Sequence, residues 1–391
     1  MAKNKNLTQA KIKKDSEWYT LISDIEKELK HYKKYFEGKV VYCNCDDPEE
    51  SNFWKFFELN FEEYKLKKLI STHYDAEKPT YKLELSADID GDGKITKGDI
   101  VKTPLKQNGD FRSEESINLL KESDIICTNP PFDLFREYVA QLMKYNKKFL
   151  ILGNMNAVTY KEIFPLIRDK KIWWGYNSPT DFKRPDGSIK KTVTRWYTNL
   201  LVDKHTEEIT LVKKYDPATY LKYDNYDAIH IDRCTNIPKD YKGVMGVPIS
   251  FLDNYCPKQF EILGIACGNS WANYTNFLKS LNFNPNIKYG GGLGAPILNG
   301  KATYARILIK RPPQFKIIGI ACGNTRANTP KETLNELGYK PLSEDRGGCP
   351  MFNGKRKYAR ILIQKIDENN TNELILSAGK KPDTNVYTNI K

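Results

Sequence analysis

Short apolar runs alternate with amphipathic segments along the first half of the chain. The strand-like runs are GKVVYCNC, KKLISTHYD, DIICTN and KKFLILGN, and the helix-like segments are SEWYTLISDIEKELKHYKKYF, SNFWKFFELNFEEY, SEESINLLKES, DLFREYVAQLMKYN and TYKEIFPLIRD. This alternation predicts an α/β fold with a parallel, doubly wound sheet. Ligands of such sheets bind beyond the carboxyl ends of the strands. We therefore expect Cys45-Asp46-Asp47, Tyr74-Asp75, Asn129 to Phe132 and Gly153-Asn154 along one rim.

The last third of the chain contains an internal duplication. FEILGIACGNSWAN at 260–273 returns as FKIIGIACGNTRAN at 315–328, and NGKATYARILIKR at 299–311 returns as NGKRKYARILIQK at 353–365. Two copies predict a pseudo-symmetric α+β domain, because a solenoid needs more repeats. We place the domain boundary near Lys204, which gives an N-terminal domain at 1–204. The C-terminal domain at 205–391 then holds repeats at about 260–311 and 315–365.

The net charge, the cysteine spacing and the lengths of the apolar runs indicate which partners and metal sites to expect. The 391 residues include 62 Lys+Arg and 49 Asp+Glu, for a net charge of +13, which favours an acidic partner, most often nucleic acid. The eight cysteines form no C-x-x-C unit, so we do not expect a structural zinc site. The N-terminus has no apolar signal-peptide core, and no apolar run has membrane-spanning length. We expect a soluble cytoplasmic protein with no membrane partner.

The stretch Asn129-Pro130-Pro131-Phe132 ends the third strand-like run. Methylating an exocyclic amino group is difficult, because the nitrogen lone pair is delocalised into the ring. The side-chain carbonyl of Asn129 and the main-chain carbonyl of Pro130 can accept both N–H groups, and prolines hold such acceptors in place. Phe132 can then stack on a base extruded from a duplex. The structural alternative is a tight turn that happens to contain two prolines.

This tetrapeptide resembles the N/D-P-P-F/Y/W motif of amino-group methyltransferases that use S-adenosylmethionine. Further segments resemble the EcoRI-type adenine-specific DNA methyltransferases, over roughly Glu17 to Lys365: YTLISDIEKELKHY, GKVVYCNCDDPEESNFWKFF, NGDFRSEES, CTNPPFDLFREYV, KFLILGNMNAVTYKEIFPLI, GVMGVPISFLDNY and YARILI. The resemblance implies a cofactor pocket and the tetrapeptide in an N-terminal Rossmann-like domain. It also implies a C-terminal region that recognises double-stranded DNA, in an enzyme that works alone or beside a restriction endonuclease of the same site.

The resemblance also suggests residues for S-adenosylmethionine. Asp47 follows the first strand, with Cys45 and Asp46 beside it, where a carboxylate can accept hydrogen bonds from the cofactor's ammonium group. The usual G-x-G loop is absent there, and an Asp-Pro turn with helix capping is the alternative. Tyr19-Thr20 is similar to the F-Y-T segment that meets the methionine carboxylate in many amino-group methyltransferases.

Two more positions complete the predicted cofactor site. Asp75 ends the second strand, where an acid often binds the ribose hydroxyls. Asp110 and Phe111 stand where related enzymes hold the cofactor's adenine with an acidic and an aromatic residue. The alternative for this pair is a turn followed by an N-cap for a helix that begins near Ser113.

The segment DIDGDGKITKGD, from Asp88 to Asp99, fits the pattern of a calcium-binding loop, with Asp99 in place of the usual glutamate. However, YKLELSA before it alternates like a strand, and IVKTPL after it contains Pro104. Helices flank a true EF-hand, so we predict a hairpin turned at Asp-Gly-Asp-Gly. Calcium binding remains the alternative, and the proposed chemistry requires no metal.

A second predicted hairpin, FKRPDGSIKKTVTRWY, is basic and turns at Pro185-Asp186-Gly187. Its candidates for DNA phosphate contacts are Lys183, Arg184, Lys190, Lys191 and Arg195. A solvated basic face is the alternative. In the C-terminal domain, the paired GNSWAN and GNTRAN turns and the loops YGGGLGAP and DRGGCPMF are further candidates to approach DNA.

We conclude from the sequence that the chain is a site-specific DNA methyltransferase acting on the N6 atom of a flipped-out adenine. An enzyme that methylates glutamine in proteins, or an amino group in RNA, is the enzymatic alternative, because the same tetrapeptide can hold a carboxamide. A calcium-dependent interaction protein using the Asp88 to Asp99 loop is the non-enzymatic alternative. A DNA-binding protein that has lost catalysis is a third.

Overall fold

The structure is a computed structural model that describes residues 19–45, 47–77, 79–184, 186–268, 280–284, 294–312, 315–321, 351–352, 355–356, 360–365 and 374–375, with side chains through Pro312. The chain divides into two compact units, Met1–Arg311 and Pro312–Lys391. No helix within these described ranges is long and apolar enough to cross a membrane.

Along the chain, most α-helices of the first unit alternate with the strands of its larger sheet. They are α1 (Ile22–Leu29), α2 (Lys33–Phe36), α3 (Asn52–Leu59), α4 (Glu114–Glu122), α5 (Phe135–Lys144) and α6 (Phe164–Arg168). Short 3-10 helices occur at Lys30–Tyr32, Lys97–Asp99, Phe132–Leu134, Met155–Thr159, Asp203–Thr206, Cys234–Asn236 and Ile249–Asn254. Ser51 and Ser113 cap α3 and α4, because each side-chain oxygen accepts a backbone N–H of the first turn.

The strands of the first unit are β1 (Tyr19–Thr20), β2 (Val40–Cys43), β3 (Lys68–Thr72), β4 (Tyr81–Leu85), β5 (Val101–Pro104), β6 (Ile125–Thr128), β7 (Lys148–Asn154), β8 (Trp173–Trp174), β9 (Asp181–Lys183), β10 (Ile189–Lys191), β11 (Thr194–Thr198), β12 (Ile229–His230), β13 (Met245–Pro248), β14 (Glu261–Ala266), β15 (Ile297–Leu298), β16 (Lys301–Ala302) and β17 (Arg306–Lys310). Those of the second unit are β18 (Phe315–Ala321), β19 (Met351–Phe352), β20 (Lys355–Arg356), β21 (Arg360–Lys365) and β22 (Leu374–Ile375).

The largest sheet has eight strands in the order β5-β4-β3-β2-β6-β7-β11-β8. Its centre, β3-β2-β6-β7, is parallel, as the alternation of strands and helices predicts. At one edge β4 and β5 pair antiparallel, and at the other edge β11 pairs antiparallel with both β7 and β8. The sheet is therefore mixed, with the predicted parallel part in the middle.

Both faces of the central strands are buried, which makes the sheet doubly wound. Along β2, Val40 and Tyr42 belong to one core, whereas Val41 and Cys43 belong to the other. Side chains of α4, α5 and α6 fill the first core, and those of α1 and α3 fill the second. Strands buried on both sides read as continuous apolar runs, which is the pattern of VVYC and IICT. The predicted Rossmann-like fold is confirmed.

A smaller sheet of four strands, in the order β12-β13-β17-β14, follows in the chain. The predicted boundary near Lys204 lies between the last strand of the large sheet and β12. Residues from both sides of that position share one hydrophobic core, and both sheets belong to the first compact unit. A sheet of three short strands, β1-β9-β10, and the hairpin β15-β16 complete this unit.

Candidate active site

The central strands bring most of the predicted site residues to one rim of the large sheet, the rim at which the parallel strands end. Because β2, β3, β6 and β7 are parallel, their carboxyl ends meet there. The first three strands are followed by Cys45 and Asp47, by His73 to Asp75 and by Asn129 to Phe132, and Gly153 and Asn154 are the last two residues of β7. Asp46, the remaining predicted residue of this rim, lies outside the described residues.

Hydrogen bonds join the loop after β2 to the end of β6. The backbone N–H of Cys45 donates to Thr128 Oγ1 at 3.2 Å, directly before Asn129. The neighbouring Asn44 is 3% exposed, and its Oδ1 accepts a hydrogen bond from the Tyr138 hydroxyl of α5. The predicted cofactor loop therefore stands beside the tetrapeptide. Sequence reasoning missed Asn44, although a polar residue directly after a buried strand was a signal for it.

The tetrapeptide forms a fixed turn between β6 and α5. Pro130 is buried, whereas Asn129 and Phe132 are partly exposed. Pro131 has φ −57° and ψ 125°, and its carbonyl accepts the N–H of Leu134 at 3.1 Å, which closes the 3-10 helix Phe132–Leu134. The two prolines thus hold Asn129 and Phe132 at the rim with little backbone freedom.

Packing of the Phe135 ring against β7 and β11 holds the helix that follows the turn. The Phe135 ring meets that of Tyr197 with centroids 5.0 Å apart. A Cβ atom added to Gly153 would lie 2.6 Å from the Phe135 ring and 2.9 Å from the Tyr197 ring. Only a glycine at the end of β7 allows both aromatic rings to pack there, so Gly153 positions the start of α5.

Tyr19 and Thr20 form β1, which lies next to the start of α3, the helix that follows the Asp47 loop. The Thr20 carbonyl accepts a hydrogen bond from Asn52 Nδ2 at 2.6 Å, which ties β1 to the helix that follows the Asp47 loop. The Thr20 side chain is 2% exposed, and its Oγ1 is buried with no hydrogen-bond partner among the described residues. Leaving a buried hydroxyl unsatisfied costs free energy, so this atom is suited to contact a ligand.

Asp47 stands at the start of a tight turn that leads into α3. Its Oδ1 accepts the N–H of Glu49 at 2.9 Å, as in the turn-and-cap alternative, and its Oδ2 lies 3.5 Å from His73 Nε2. His73 stacks on Tyr81 with ring centroids 4.9 Å apart. The contact between Asp47 and His73 joins the ends of β2 and β3, and no local pattern of residues indicates it.

Gly109 brings the segment of Asp110 against the end of β3. It has φ +72°, and an added Cβ would lie 2.1 Å from the His73 carbonyl oxygen, so only glycine is compatible with this approach. The backbone N–H of Asp75 donates to the Asn108 carbonyl at 3.2 Å. These contacts bring together the two segments that carry Asp75 and Asp110.

The side chain of Asp110 is held by Arg112, a residue that sequence reasoning missed. The Arg112 guanidinium donates to Asp110 Oδ1 at 2.8 Å and to Oδ2 at 2.7 Å, and these hydrogen bonds hold the pKa of Asp110 below its usual value. Phe111 is 4% exposed and packs edge-on against Tyr138, at a centroid distance of 5.1 Å. Most of the Phe111 ring is therefore in the core, which limits the predicted stacking on a cofactor to a small part of the ring.

The acidic loop after β4 lies at the opposite end of the strands from this constellation, because β4 pairs antiparallel with β3 and its last residue, Leu85, lies opposite Leu69 near the start of β3. Strands β4 and β5 pair antiparallel around it, so the predicted hairpin is confirmed. Carboxylate oxygens of Asp88, Asp90 and Asp99 lie within 4.8 Å of one another. Each of these side chains accepts backbone N–H groups of its own loop, including Gly91 to Asp88 at 2.6 Å.

The basic hairpin is formed by β9 and β10, which pair antiparallel. Lys183 and Lys191 are exposed, and Arg184 and Lys190 are partly exposed. Its third strand is β1, in which Tyr19 pairs with Lys183. The hairpin therefore shares a sheet with the predicted cofactor residues Tyr19 and Thr20.

Arg195 differs from these four basic residues. Its guanidinium forms two hydrogen bonds with Asp253, at 3.1 and 3.0 Å, and lies 4.9 Å from the centre of the Trp174 ring. Its side chain is only 12% exposed. This pair ties β11 to the 3-10 helix Ile249–Asn254. Because its guanidinium is engaged within the fold, we do not propose Arg195 as a DNA contact.

Other predicted DNA-facing positions fall outside the described residues. They are 269–273 and 323–328 of the paired GNSWAN and GNTRAN turns, and 289–293 and 345–350 of the glycine-containing loops. Pro185, at the predicted turn of the basic hairpin, also lies outside the described residues.

Comparison with known proteins identifies the family. The model of the adenine-specific methyltransferase EcoRI family matches residues 6–312. Type II methyltransferase M.EcoRI of Escherichia coli is 42% identical over 340 residues, which cover 79% of this chain and 97% of that protein. Type II methyltransferase M.MgeORF184P of Mycoplasma genitalium is 36% identical over 332 residues, which cover 78% and 98%.

Type II methyltransferase M.MpnI of Mycoplasma pneumoniae is 36% identical over 325 residues, which cover 78% of this chain and 97% of that protein. No solved structure gave a significant match. With a family model over most of the chain and relatives matched along nearly their whole length, the chain belongs to the EcoRI family of adenine-specific methyltransferases.

Proposed function

We propose that the chain transfers a methyl group from S-adenosylmethionine to the N6 atom of adenine in double-stranded DNA. One observation carries this proposal. The Asn129-Pro130-Pro131-Phe132 turn ends a central strand, and a hydrogen bond from Cys45 to Thr128 joins it to the loop after the neighbouring strand. A site for the amino group and a site for the methyl donor can therefore share one rim, as a direct transfer requires.

The residues present at the rim suit S-adenosylmethionine. The buried Oγ1 of Thr20 can donate to the methionine carboxylate, and Asp47 can accept from the ammonium group. Asp75 lies at the end of β3, where the ribose hydroxyls would bind, and the Asp110-Phe111 segment stands beside it. When bound, this cofactor supplies an electrophilic methyl group on a sulfonium sulfur.

The tetrapeptide is proposed to hold the adenine amino group. Asn129 Oδ1 and the Pro130 carbonyl accept its two N–H bonds, which concentrates the lone pair on the nitrogen that attacks. The prolines fix these acceptors before the substrate arrives, so little reorganisation is needed during transfer. Phe132 stacks on the adenine, which has to leave the duplex to reach the rim.

The basic hairpin is proposed to hold the DNA backbone. Lys183, Arg184, Lys190 and Lys191 carry four positive charges on β9, β10 and the turn between them. Phosphate contacts of this kind position a protein on the duplex without selecting a sequence.

The relatives are Type II methyltransferases by name, so we also propose that a restriction endonuclease of the same site accompanies this chain or once did.

The test incubates the purified chain with methyl-labelled S-adenosylmethionine and unmethylated bacterial DNA, and then separates the nucleosides of the digested product. The proposal predicts label in N6-methyladenine. Label in another nucleoside would contradict the choice of adenine. If no DNA is labelled, parallel assays with RNA and protein show whether the amino group belongs to another substrate class.

A further inference from the structure

Helix α5 is connected to both parts of the proposed active site. Its first residue, Phe135, lies three positions after Phe132 of the tetrapeptide. About one turn further along, the hydroxyl of Tyr138 donates a hydrogen bond to Oδ1 of Asn44, in the loop after β2. One helix therefore follows the turn that is proposed to hold the adenine and is also bonded to the loop that is proposed to hold the cofactor.

The hydrogen bond between Tyr138 and Asn44 is buried. Tyr138 is 0% exposed and Asn44 is 3% exposed. The Cys45 thiol donates to the same Oδ1 atom at 3.6 Å, and the Cys45 backbone N–H donates to Thr128 Oγ1 at the end of β6. A buried carbonyl oxygen needs a donor from the protein, because it has lost its bonds to water. The Tyr138 hydroxyl therefore fixes the Asn44 side chain, and with it the start of the loop after β2.

Helix α5 also holds the segment that contains Phe111. The Tyr138 ring meets the Phe111 ring edge-on at a centroid distance of 5.1 Å. Gln141, about one turn further along, donates from its Nε2 atom to the Phe111 carbonyl at 2.9 Å. Glu137 lies 3.5 Å from a guanidinium nitrogen of Arg112. The same stretch of α5 therefore contacts two of the segments that are proposed to bind the cofactor.

Tyr42 provides a comparison within the same core. It is also 0% exposed, and its hydroxyl lies 3.1 Å from Thr72 Oγ1. Both tyrosines belong to the hydrophobic core on one side of the large sheet. The bond between Tyr42 and Thr72 joins β2 to β3, two strands that already pair through their backbones. The two hydroxyls are therefore alike in burial and differ in the segments that they join.

Methyl transfer is sensitive to the distance between these segments. The amino nitrogen, the methyl carbon and the sulfonium sulfur have to lie in line, and an error of about 1 Å in placing a reacting group can lower a rate about 100-fold. The loop after β2 is proposed to hold the cofactor through Asp47, and the tetrapeptide is proposed to hold the amino group through Asn129. A residue that sets the distance between them affects the rate without touching either reactant.

We propose that Tyr138 is a positioning residue for methyl transfer, which acts through Asn44 to hold the cofactor loop at a fixed distance from the tetrapeptide. The proposal rests on the proposed function, because it takes the tetrapeptide as the site of the amino group and the loop after β2 as part of the cofactor site. The side chain of Tyr138 is fully buried. Its hydroxyl therefore contributes to the rate of transfer in the bound complex, and not to the binding of either reactant.

The test uses the full chain with Tyr138→Phe, which keeps the buried ring and removes the hydroxyl. A single-turnover experiment, with the enzyme in excess over DNA and with saturating S-adenosylmethionine, measures the rate of methyl transfer in the bound complex. We expect this rate to fall by about 10- to 100-fold, because the donor is held less accurately. Calorimetry should show a dissociation constant for S-adenosylmethionine near that of the original chain, and fluorescence anisotropy should show the same for duplex DNA.

Tyr42→Phe is the matched control, because it makes the same change at an equally buried ring of the same core. It should lose a similar amount of thermal stability and keep the original rate of transfer. A normal rate in Tyr138→Phe would overturn the proposal. An equal fall in rate in both variants would also overturn it, because a general loosening of the core would then explain the effect.

A double-mutant cycle tests whether Tyr138 acts through Asn44. If it does, adding Tyr138→Phe to Asn44→Ala should slow the transfer much less than Tyr138→Phe slows it in the original chain. Rate losses that multiply in the double variant would contradict the proposal. If thermal unfolding shows that Tyr138→Phe is not folded, Asn44→Ala by itself should slow the transfer, and a normal rate in that variant would refute the role of this hydrogen bond.

The original chain tests the proposed function separately. Transfer to adenine of DNA by the original chain, together with a normal rate in Tyr138→Phe, overturns only the role of Tyr138. If the original chain labels RNA or protein instead, the proposed substrate is wrong, and the same comparison of variants on that substrate decides the role of Tyr138. A chain that transfers no methyl group to any of these substrates would overturn both proposals.

Discussion

Two groups of aspartates in this chain look alike in their local structure and differ in their place in the fold. Asp47, Asp75 and Asp110 each accept a backbone N–H two residues later. Asp88, Asp90 and Asp99 also accept backbone N–H groups of their own loop. Local hydrogen bonding therefore does not separate a ligand site from a structural turn.

The sheet separates the two groups. The first three aspartates come from three chain segments that meet beyond the carboxyl ends of parallel strands, where Thr20 Oγ1 and the tetrapeptide also lie. The other three come from one continuous loop between β4 and β5, at the edge of the sheet. Groups that converge from separate segments at a strand edge can hold one ligand from several sides. This difference is why we propose the first group, and not the second, as the cofactor site.

The largest effect is expected for Asn129→Ala at the centre of the rim. Losing one of two fixed acceptors for the amino group should lower the methylation rate by about 100- to 1000-fold, by analogy with the loss of one preorganised hydrogen-bonding group elsewhere. Cofactor affinity should be unchanged, because Asn129 is not proposed to contact it. Rates from labelled S-adenosylmethionine and affinities from calorimetry provide both values, and a variant with near-normal rate would refute the assigned role.

The next effect is expected for Thr20→Val, which keeps the shape of the side chain and removes the buried hydroxyl. A hydrogen bond to a charged carboxylate is worth about 1.5–3 kcal/mol, so cofactor affinity should fall by about 10- to 100-fold. Thermal stability should not fall, because the removed atom has no partner in the described structure. Thr20→Ser is the control that keeps the hydroxyl. A variant that loses stability and keeps its cofactor affinity would give Thr20 a purely structural role.

A smaller effect, on folding and rate together, is expected for Gly153→Ala. The new methyl group would lie 2.6 Å from the Phe135 ring, and overpacking of this kind costs about 1–3 kcal/mol of unfolding free energy. Because Phe135 begins α5 only three residues after Phe132 of the tetrapeptide, the methylation rate should fall as well. Denaturant unfolding measures the loss of stability, and assays with labelled S-adenosylmethionine measure the loss of rate. Normal stability and normal rate in Gly153→Ala would show that the tetrapeptide does not depend on this packing.

The smallest effect on activity is expected in the acidic loop. Backbone N–H groups of Thr96 and Ile89 hold the pKa of Asp99 below its usual value. A lowered folded pKa means that the stabilisation is present above the ordinary aspartate pKa of about 3.9 and is lost as the pH falls through the folded value. Asp99→Asn should therefore lower the melting temperature at neutral pH, and the difference should shrink on acidification. Methylation and cofactor affinity should stay normal, and a loss of cofactor binding would show that this loop belongs to the site.

Features that depend on neighbouring residues were predictable from the sequence. The central strands, the caps Ser51 and Ser113 and the β4-β5 hairpin follow from apolar runs, capping residues and turn residues. The tetrapeptide could be placed at a strand end for the same reason. The antiparallel direction of the edge strands β8 and β11 was harder to predict, because an open sheet accepts strands of either direction at its edges.

Contacts between distant residues were not predictable. Asn44 and Tyr138 are 94 residues apart, and Arg195 and Asp253 are 58 apart. The close approach of Gly109 to His73 depends on how β3 ends, and no local pattern encodes it. Arg195 therefore looked like the lysines of the basic hairpin in sequence, although its guanidinium is engaged within the fold.

The most direct test of the central claim compares one aspartate from each group. Calorimetry would measure the affinity of S-adenosylmethionine for the original chain and for Asp47→Asn and Asp88→Asn. The account predicts that Asp47→Asn weakens binding by about 10-fold or more, because a charge-assisted hydrogen bond is lost, and that Asp88→Asn binds normally. Normal binding by Asp47→Asn together with weakened binding by Asp88→Asn would contradict the assignment of the cofactor to the rim.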